Sequence, residues 1–367
     1  MRKKIIGLAA FITALPFCFF SCIKEELPNV EADIEVMKLP SDEGFVSTSV
    51  KPNDWYDVIA YTKTGSQVDL SHIVPEFILS PGATIDPPSS VAQDFTNPVV
   101  YKVTSEDGRY SNTYTVRFME SVMPTSYQFQ HWDTIIKPGS KYYHPYEVSG
   151  DKRIDIWASG NSIYSILGGT TDTYPTRIKI DPATHKKMLY LETRDTGVFG
   201  ASQKKPNAAG NLFIGDFDAT IATKDPMGAT HFGRPINQEP KEFYFSYNYK
   251  PATYIKDGQE YTDECDIYAV LFEVDSEVKY LKGDNVLTHR NIVAMARIDE
   301  PGETPGTAMV KKTIPFNYEF SNRFDPEKLA NTQYYFTVVF TSSRRGAEFI
   351  GGIGSALTVE EAEVICR

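Results

Sequence analysis

Tyr334 to Thr341 reads Y-Y-F-T-V-V-F-T, and Tyr334, Phe336, Val338 and Phe340 fall on one side of a two-residue period. That alternation predicts a strand with one buried face. A connection from Ser342 to Ser355 follows, carrying Gly346, Gly351, Gly352 and Gly354, and then Leu357 to Ile365 reads as a second strand. The pair is expected to form a terminal hairpin that closes its sheet, with the glycine loop exposed at one rim. Leu357 and Val359 share one parity, whereas Ala362, Val364 and Cys366 share the other. The inward face therefore switches near Glu360 and Glu361, which predicts a β-bulge there.

The same reading taken along the chain gives two all-β units. Residues 29–122 carry six candidate strands: Ala32–Lys38, Phe45–Val50, Trp55–Tyr61, Val74–Leu79, Val99–Thr104 and Tyr114–Phe118. The last two face each other across Glu106-Asp107-Gly108, whose glycine supplies the positive φ of a tight hairpin. Strands at this spacing over about 90 residues suit an immunoglobulin-like sandwich. Trp55 and Tyr56 have two readings here, core packing and ligand contact. Ser121–Ser126, with Met123-Pro124, has no periodicity and marks a boundary. Beyond it, in residues 123–367, the candidate strands are Ile154–Ala158, Thr176–Ile180, Met188–Thr193, Leu212–Phe217, Phe243–Lys250, Asp266–Val274, Asn291–Ile298, Thr313–Phe316 and the terminal pair. About ten strands with long connections fit a two-sheet jelly roll. Helix is confined to single turns at 326–330 and 359–362.

Composition adds an address. Arg2, Lys3 and Lys4 precede the apolar stretch Ile5–Phe20, which Pro16 interrupts and which is short for a membrane span. The stretch ends Ser21-Cys22, so residues 1–21 resemble a bacterial lipoprotein signal, with Cys22 the lipid anchor and 22–28 a tether; ordinary secretion is the alternative. Lys24-Glu25-Glu26 is similar to the export signal of surface-exposed Bacteroidota lipoproteins, which implies an outer-membrane, cell-surface location. The 367-residue chain carries a net charge of −11, and loss of the three leading cations takes it to −14. That excess argues against nucleic acid or an anionic lipid surface as partner. Cys265 and Cys366 are too few for a disulfide framework; each is a buried apolar residue, or the two pair.

Thr193-Arg194-Asp195-Thr196-Gly197, Ala209 to Gly215 (A-G-N-L-F-I-G), Cys265 to Glu273 (C-D-I-Y-A-V-L-F-E) and Ser342-Ser343 through Gly346, Phe349, Gly352, Gly354-Ser355 and Leu357 occur in this order. Over residues 125–367 they resemble the putative carbohydrate metabolism domain family. The resemblance implies an Ig-like module followed by a jelly roll of carbohydrate-binding character, in surface lipoproteins of glycan-degrading bacteria. Tyr101 to Gly108 resembles the Ig-like spacers placed behind lipid anchors, which implies stand-off from the membrane. Gly346-Ala347-Glu348 departs from the family's Gly-Asp before the aromatic, so the resemblance carries no role for an acidic side chain over to that spot.

Sugar recognition takes flat aromatic faces and planar polar groups. With 13% aromatic residues the chain has many rings. Trp157 leads into Ser159-Gly160-Asn161, Tyr247 and Tyr249 share one strand face with Tyr244 on the other, and Trp132 stands beside His131. Core packing competes for each ring, so Trp157, Asn161, Tyr247, Tyr249 and Trp132 carry the expectation as a group. Cleavage would rest on Glu264 and Asp266, roughly 7 Å apart on one strand face, against about 5–5.5 Å for a retaining glycosidase and 6.5–9.5 Å for an inverting one. The jelly-roll glucanases carry a further Glu; here Tyr268 takes its place. Asp216 and Asp218 form another acid pair, for which structural calcium and a turn are equal contenders. The six histidines show no zinc spacing, Gly352-Ile353-Gly354 opens no helix, and no Gly-x-Ser-x-Gly elbow occurs. The expectation is a surface lipoprotein that binds a polysaccharide or oligosaccharide without cleaving it, alongside other glycan-uptake proteins. A glycoside hydrolase and a structural scaffold are the alternatives. The terminal glycine loop, with Arg344, Arg345 and Glu348, is read as architectural, and the sugar site is placed elsewhere.

Overall fold

A computed structural model of the chain describes residues 28–39, 44–51, 56–62, 68–120, 123–137, 139–149, 152–168 and 170–367. The leading segment with Cys22, and Trp55, lie outside the described residues. Among the described residues no helix is long and apolar enough to cross a membrane.

The smaller unit is a sandwich. A five-stranded sheet runs Phe45–Lys51, Asp57–Thr62, Ser111–Glu120, Val99–Thr104, Thr84–Asp86, and the pair Ile34–Lys38 with Glu76–Leu79 lies against it. Asp57–Thr62 and Ser111–Glu120 run parallel; the other pairs are antiparallel. Alternation sends Val58, Ala60, Tyr101, Val103, Tyr114 and Val116 inward, where they pack on Ile34, Met37, Phe77 and Phe95. The hairpin expected at Asp107-Gly108 forms: Gly108 has φ +69, and the Asp107 carboxylate accepts from the Ser105 hydroxyl at 2.7 Å.

The larger unit is a jelly roll of two antiparallel sheets. The front sheet follows the order Leu281–Lys282, Thr230–Phe232, Asn211–Phe217, Tyr334–Thr341, Asp266–Glu273, Ile292–Arg297, with Trp157–Ala158 and Arg234–Pro235 attached. The back sheet follows Thr176–Ile180, Lys187–Glu192, Ala356–Cys366, Pro240–Lys250, Val310–Pro315, with Ser126–Tyr127 attached. Between them Phe336, Val338 and Phe340 from the front meet Leu357, Val359 and Phe245 from the back, all at 0% exposure.

The terminal pair is not a hairpin. Tyr334–Thr341 bonds to Asp266–Glu273 in the front sheet, and Ala356–Cys366 bonds to Pro240–Lys250 and Lys187–Glu192 in the back sheet. The glycine loop thus crosses from one sheet to the other. Both strands present apolar residues to the same core, which is what the alternation encodes; it does not say from which side. The bulge does form. Val359 faces Tyr247 and Glu361 faces Ser246, which leaves Glu360 as the extra residue. Glu360 then accepts from Ser246 Oγ at 2.9 Å and Glu361 from the Tyr244 hydroxyl at 3.0 Å.

Other differences have local causes. Ile154–Ala158 is two short strands in separate sheets, broken at the buried Asp155. A hairpin of His131–Lys137 and Ser140–Ser149 goes unseen in the sequence because Pro145 interrupts it; Pro145 is accommodated where only one neighbour pairs. Pro326–Ala330 is helical as expected, with Asp325 capping Glu327 N, whereas 359–362 is strand. Cys265 and Cys366 are both free thiols.

Candidate functional site

The front sheet has an outer face, and the side chains on it follow from alternation. Ile267, Ala269 and Leu271 enter the core between the sheets, so Asp266 and Tyr268 turn outward. Phe213 and Val339 do the same on neighbouring strands. Loops fold over this face and enclose a groove of about 590 Å3. Phe213 and Tyr268 form its floor, and Tyr164, Phe199, Phe217 and Phe349 its walls. Phe199, on the short helix Gly197–Ser202, is 56% exposed. An uncovered phenyl ring in a concavity loses solvated area only when something binds there.

The polar groups are few and fixed. Asp266 is buried and held by the Arg297 guanidinium, with Nε at 3.0 and 3.1 Å from its two oxygens and Nη2 at 2.6 Å. Arg344 stands on its other side, Nε 3.7 Å from Asp266 and Nη1 3.1 Å from Glu264. The Asn211 side-chain oxygen accepts from Gly160 N at 2.8 Å. Buried Asp263 holds the crossing loop in place, accepting from Ser343 Oγ at 2.6 Å and Gly352 N at 2.8 Å. Ser342 Oγ lies 2.8 Å from Thr193 Oγ1 and accepts from Gly210 N at 3.0 Å. Gly210 tolerates no side chain, since a Cβ would sit 2.5 Å from Pro175 O and Glu192 N.

Most residues singled out in the sequence lie elsewhere. Trp157 is fully buried and packs edge-on against Tyr127 at 5.1 Å, its indole N–H donating to Glu147 at 2.9 Å. Tyr247 and Tyr249 are buried on the back sheet, and the Tyr249 hydroxyl donates to Ser342 O at 3.0 Å. Asn161 is the exception: it borders the groove, although it is 1% exposed and its side chain exchanges hydrogen bonds with the backbone of Thr176 at 2.7 and 3.2 Å. Trp132 is half-buried and bonds Phe129 O. Rings inside a sandwich have no face left for a sugar, so Trp157, Tyr247 and Tyr249 do not make the open groove expected of them. Tyr244 does lie on the other face of its strand. Asp216 is chelated by Arg234, at 2.8 Å from Nη1, and Asp218 accepts from Thr220 N at 2.9 Å in a turn. Among the described residues no cluster of three or more His, Cys, Asp or Glu side chains is placed to hold a metal.

The crossing loop supplies Arg344 and Phe349 to the groove, so it is not merely architectural. Tyr164 and Phe199 lie on short helices, Phe217 at a strand end and Phe349 in the crossing loop, all outside any periodic run that would mark a binding face. One signal was available: all four stretches of family resemblance meet here, through Thr196, then Ala209 and Asn211, then Asp266 and Tyr268, then Ser343 to Phe349.

The putative carbohydrate metabolism domain model matches residues 128–365, and the "SGBP, N-terminal" model matches residues 59–117. The chain belongs to the putative carbohydrate metabolism domain family. A putative glycoside hydrolase of Bacteroides thetaiotaomicron VPI-5482 is 40% identical, with a TM-score of 0.82 over 94% of this chain and 99% of that one. Another, from Bacteroides vulgatus ATCC 8482, is 33% identical, with a TM-score of 0.62 over 67% of this chain and 99% of that one. No curated protein matches. Family and fold together give the protein a glycan-related role.

Proposed function

We propose that the chain is a cell-surface, lipid-anchored protein that binds a neutral polysaccharide or oligosaccharide in the front-sheet groove and does not cleave it. The observation that carries this is the state of the carboxylates beside an aromatic-walled concavity. Glycoside hydrolysis takes two carboxyl groups aimed at one glycosidic bond, one of them to protonate the leaving oxygen. Here Asp266 is occupied by Arg297, and Glu264 is paired with Arg344. These acids fix the arginines instead. The groove keeps what binding needs: ring faces, and fixed N–H donors for hydroxyls. The match of residues 59–117 to an SGBP N-terminal domain, a name that stands for starch/glycan-binding protein, supports the surface location and the glycan.

The hydrolase reading is favoured by the two similar structures, each a putative glycoside hydrolase. One set of variants separates the readings. Phe199→Ala removes an exposed ring, so its melting temperature stays near wild type. Its affinity for the retained polysaccharide is expected to fall about fivefold, the loss of one stacking contact worth about 1 kcal/mol. Affinity electrophoresis in gels containing laminarin, xylan, mannan or pullulan measures it. Unchanged retention of both Phe199→Ala and Arg344→Ala would remove the groove from consideration.

A further inference from the structure

The groove does not stop at Phe217. That ring also borders a second cavity, of about 910 Å3, between the Ig-like sandwich and the jelly roll. Glu31, Glu35 and Tyr61 line it from the Ig-like side, and Asp216, His231 and Tyr280 from the jelly roll. The His231 and Tyr280 rings stack with centroids 3.9 Å apart and planes inclined by 22°, and Tyr280 is 38% exposed. Both rings line the cavity, His231 backing the partly exposed Tyr280 ring.

The walls are held at a set spacing. Buried Arg234 chelates Asp216, donates to Gly215 O at 2.9 Å, and lies against Tyr61 of the Ig-like sheet. Arg117 of the same sheet reaches Asp155 of the jelly roll at 3.5 Å. Met119, at the end of the last Ig-like strand, packs on the larger core.

We propose that this interdomain cleft continues the groove, so that a chain too long for the groove passes Phe217 and lays a further sugar on the His231–Tyr280 stack. The Ig-like domain is then a wall of the binding site as well as a spacer. Charge selects the ligand class. Five carboxylates line the cleft against two basic side chains, Arg234 and Lys279, and Arg234 is already committed to Asp216. Uronic-acid or sulfated chains are repelled from such a cleft, whereas a neutral glycan finds a ring face and hydroxyl acceptors.

The inference rests on the groove being a glycan site, and its test keeps the two apart. Short and long oligomers are prepared from whichever neutral polysaccharide retains the wild-type chain, and titrated calorimetrically into wild type, Tyr280→Ala, Glu31→Ala and Phe199→Ala. Tyr280→Ala is expected to weaken long oligomers by about tenfold, the upper range for a lost stacking contact, and to leave short ones unchanged. Glu31→Ala, from the opposite wall, follows the same pattern more weakly, and Phe199→Ala weakens both lengths. Wild-type affinity of Tyr280→Ala for long oligomers, or an equal loss on short and long, overturns the cleft and leaves the groove standing. Retention by none of the neutral polysaccharides overturns both. Tyr280 and Glu31 are both exposed, so a thermal melt confirms that each variant is folded.

Discussion

Trp157→Ala is expected to cost about 4 kcal/mol of stability, within the range for removing a large buried aromatic. The ring belongs to a strand of two residues, Trp157–Ala158, that hangs on the edge of the front sheet through Phe213 and Ile214. Two backbone pairings do little to hold such a strand, so its placement depends on the side chain. The indole packs against Tyr127 at 5.1 Å, Phe129 at 5.8 Å and Phe340 at 6.3 Å, joining the front strand to the residues that cover the end of the core. Alanine empties that space and also strips Glu147 of its indole donor. Thermal unfolding should show a fall of about 10 °C. A loss below about 1 kcal/mol, the scale of a surface substitution, would mean the ring is not a packing element.

Its partner gives the second large effect, which depends on pH. Burial pushes the Glu147 carboxyl from 4.5 up to about 7, against the hydrogen bonds from Trp157 and the backbone of Gln128 that pull it down. A folded-state value above the unfolded one means that the protonated acid is the form the fold prefers. Its contribution is complete below pH 4.5 and is lost as pH rises through about 7. The size of the shift corresponds to about 3 kcal/mol. Glu147→Gln keeps an acceptor for the indole N–H and removes the charge. It should match wild type near pH 4 and exceed it by up to about 3 kcal/mol at pH 8. Urea unfolding at the two pH values measures this. Equal stabilities at pH 8 would show that the carboxylate is solvated.

How much of this was legible in the sequence depends on what a two-residue period can carry. Tyr334–Thr341 and Ala356–Cys366 are readable because apolar residues alternate along each, and the parity switch near Glu360 and Glu361 marks the bulge that forms at Glu360. The same pattern is blind to partnership. A strand facing the core from the front and one facing it from the back look alike, so a crossing between sheets was read as a hairpin. For the same reason Trp157, Tyr247 and Tyr249 carried no mark separating a core ring from a groove ring. Phe199 and Phe349 lie where no period exists, and loop closure over the outer face of the sheet decides what they line. The family motifs do lead to the candidate groove. Their residues are far apart in sequence and have one destination in space, which only the fold reveals.

One paired measurement decides between binding alone and binding with cleavage. Purified protein is incubated with the polysaccharide that retards it in affinity gels, and reducing ends are counted in the same sample. Retardation with no new reducing ends is the predicted result. Release of reducing ends by wild type that disappears in Asp266→Ala would contradict it, and would make the Asp266–Arg297 pair part of an active site.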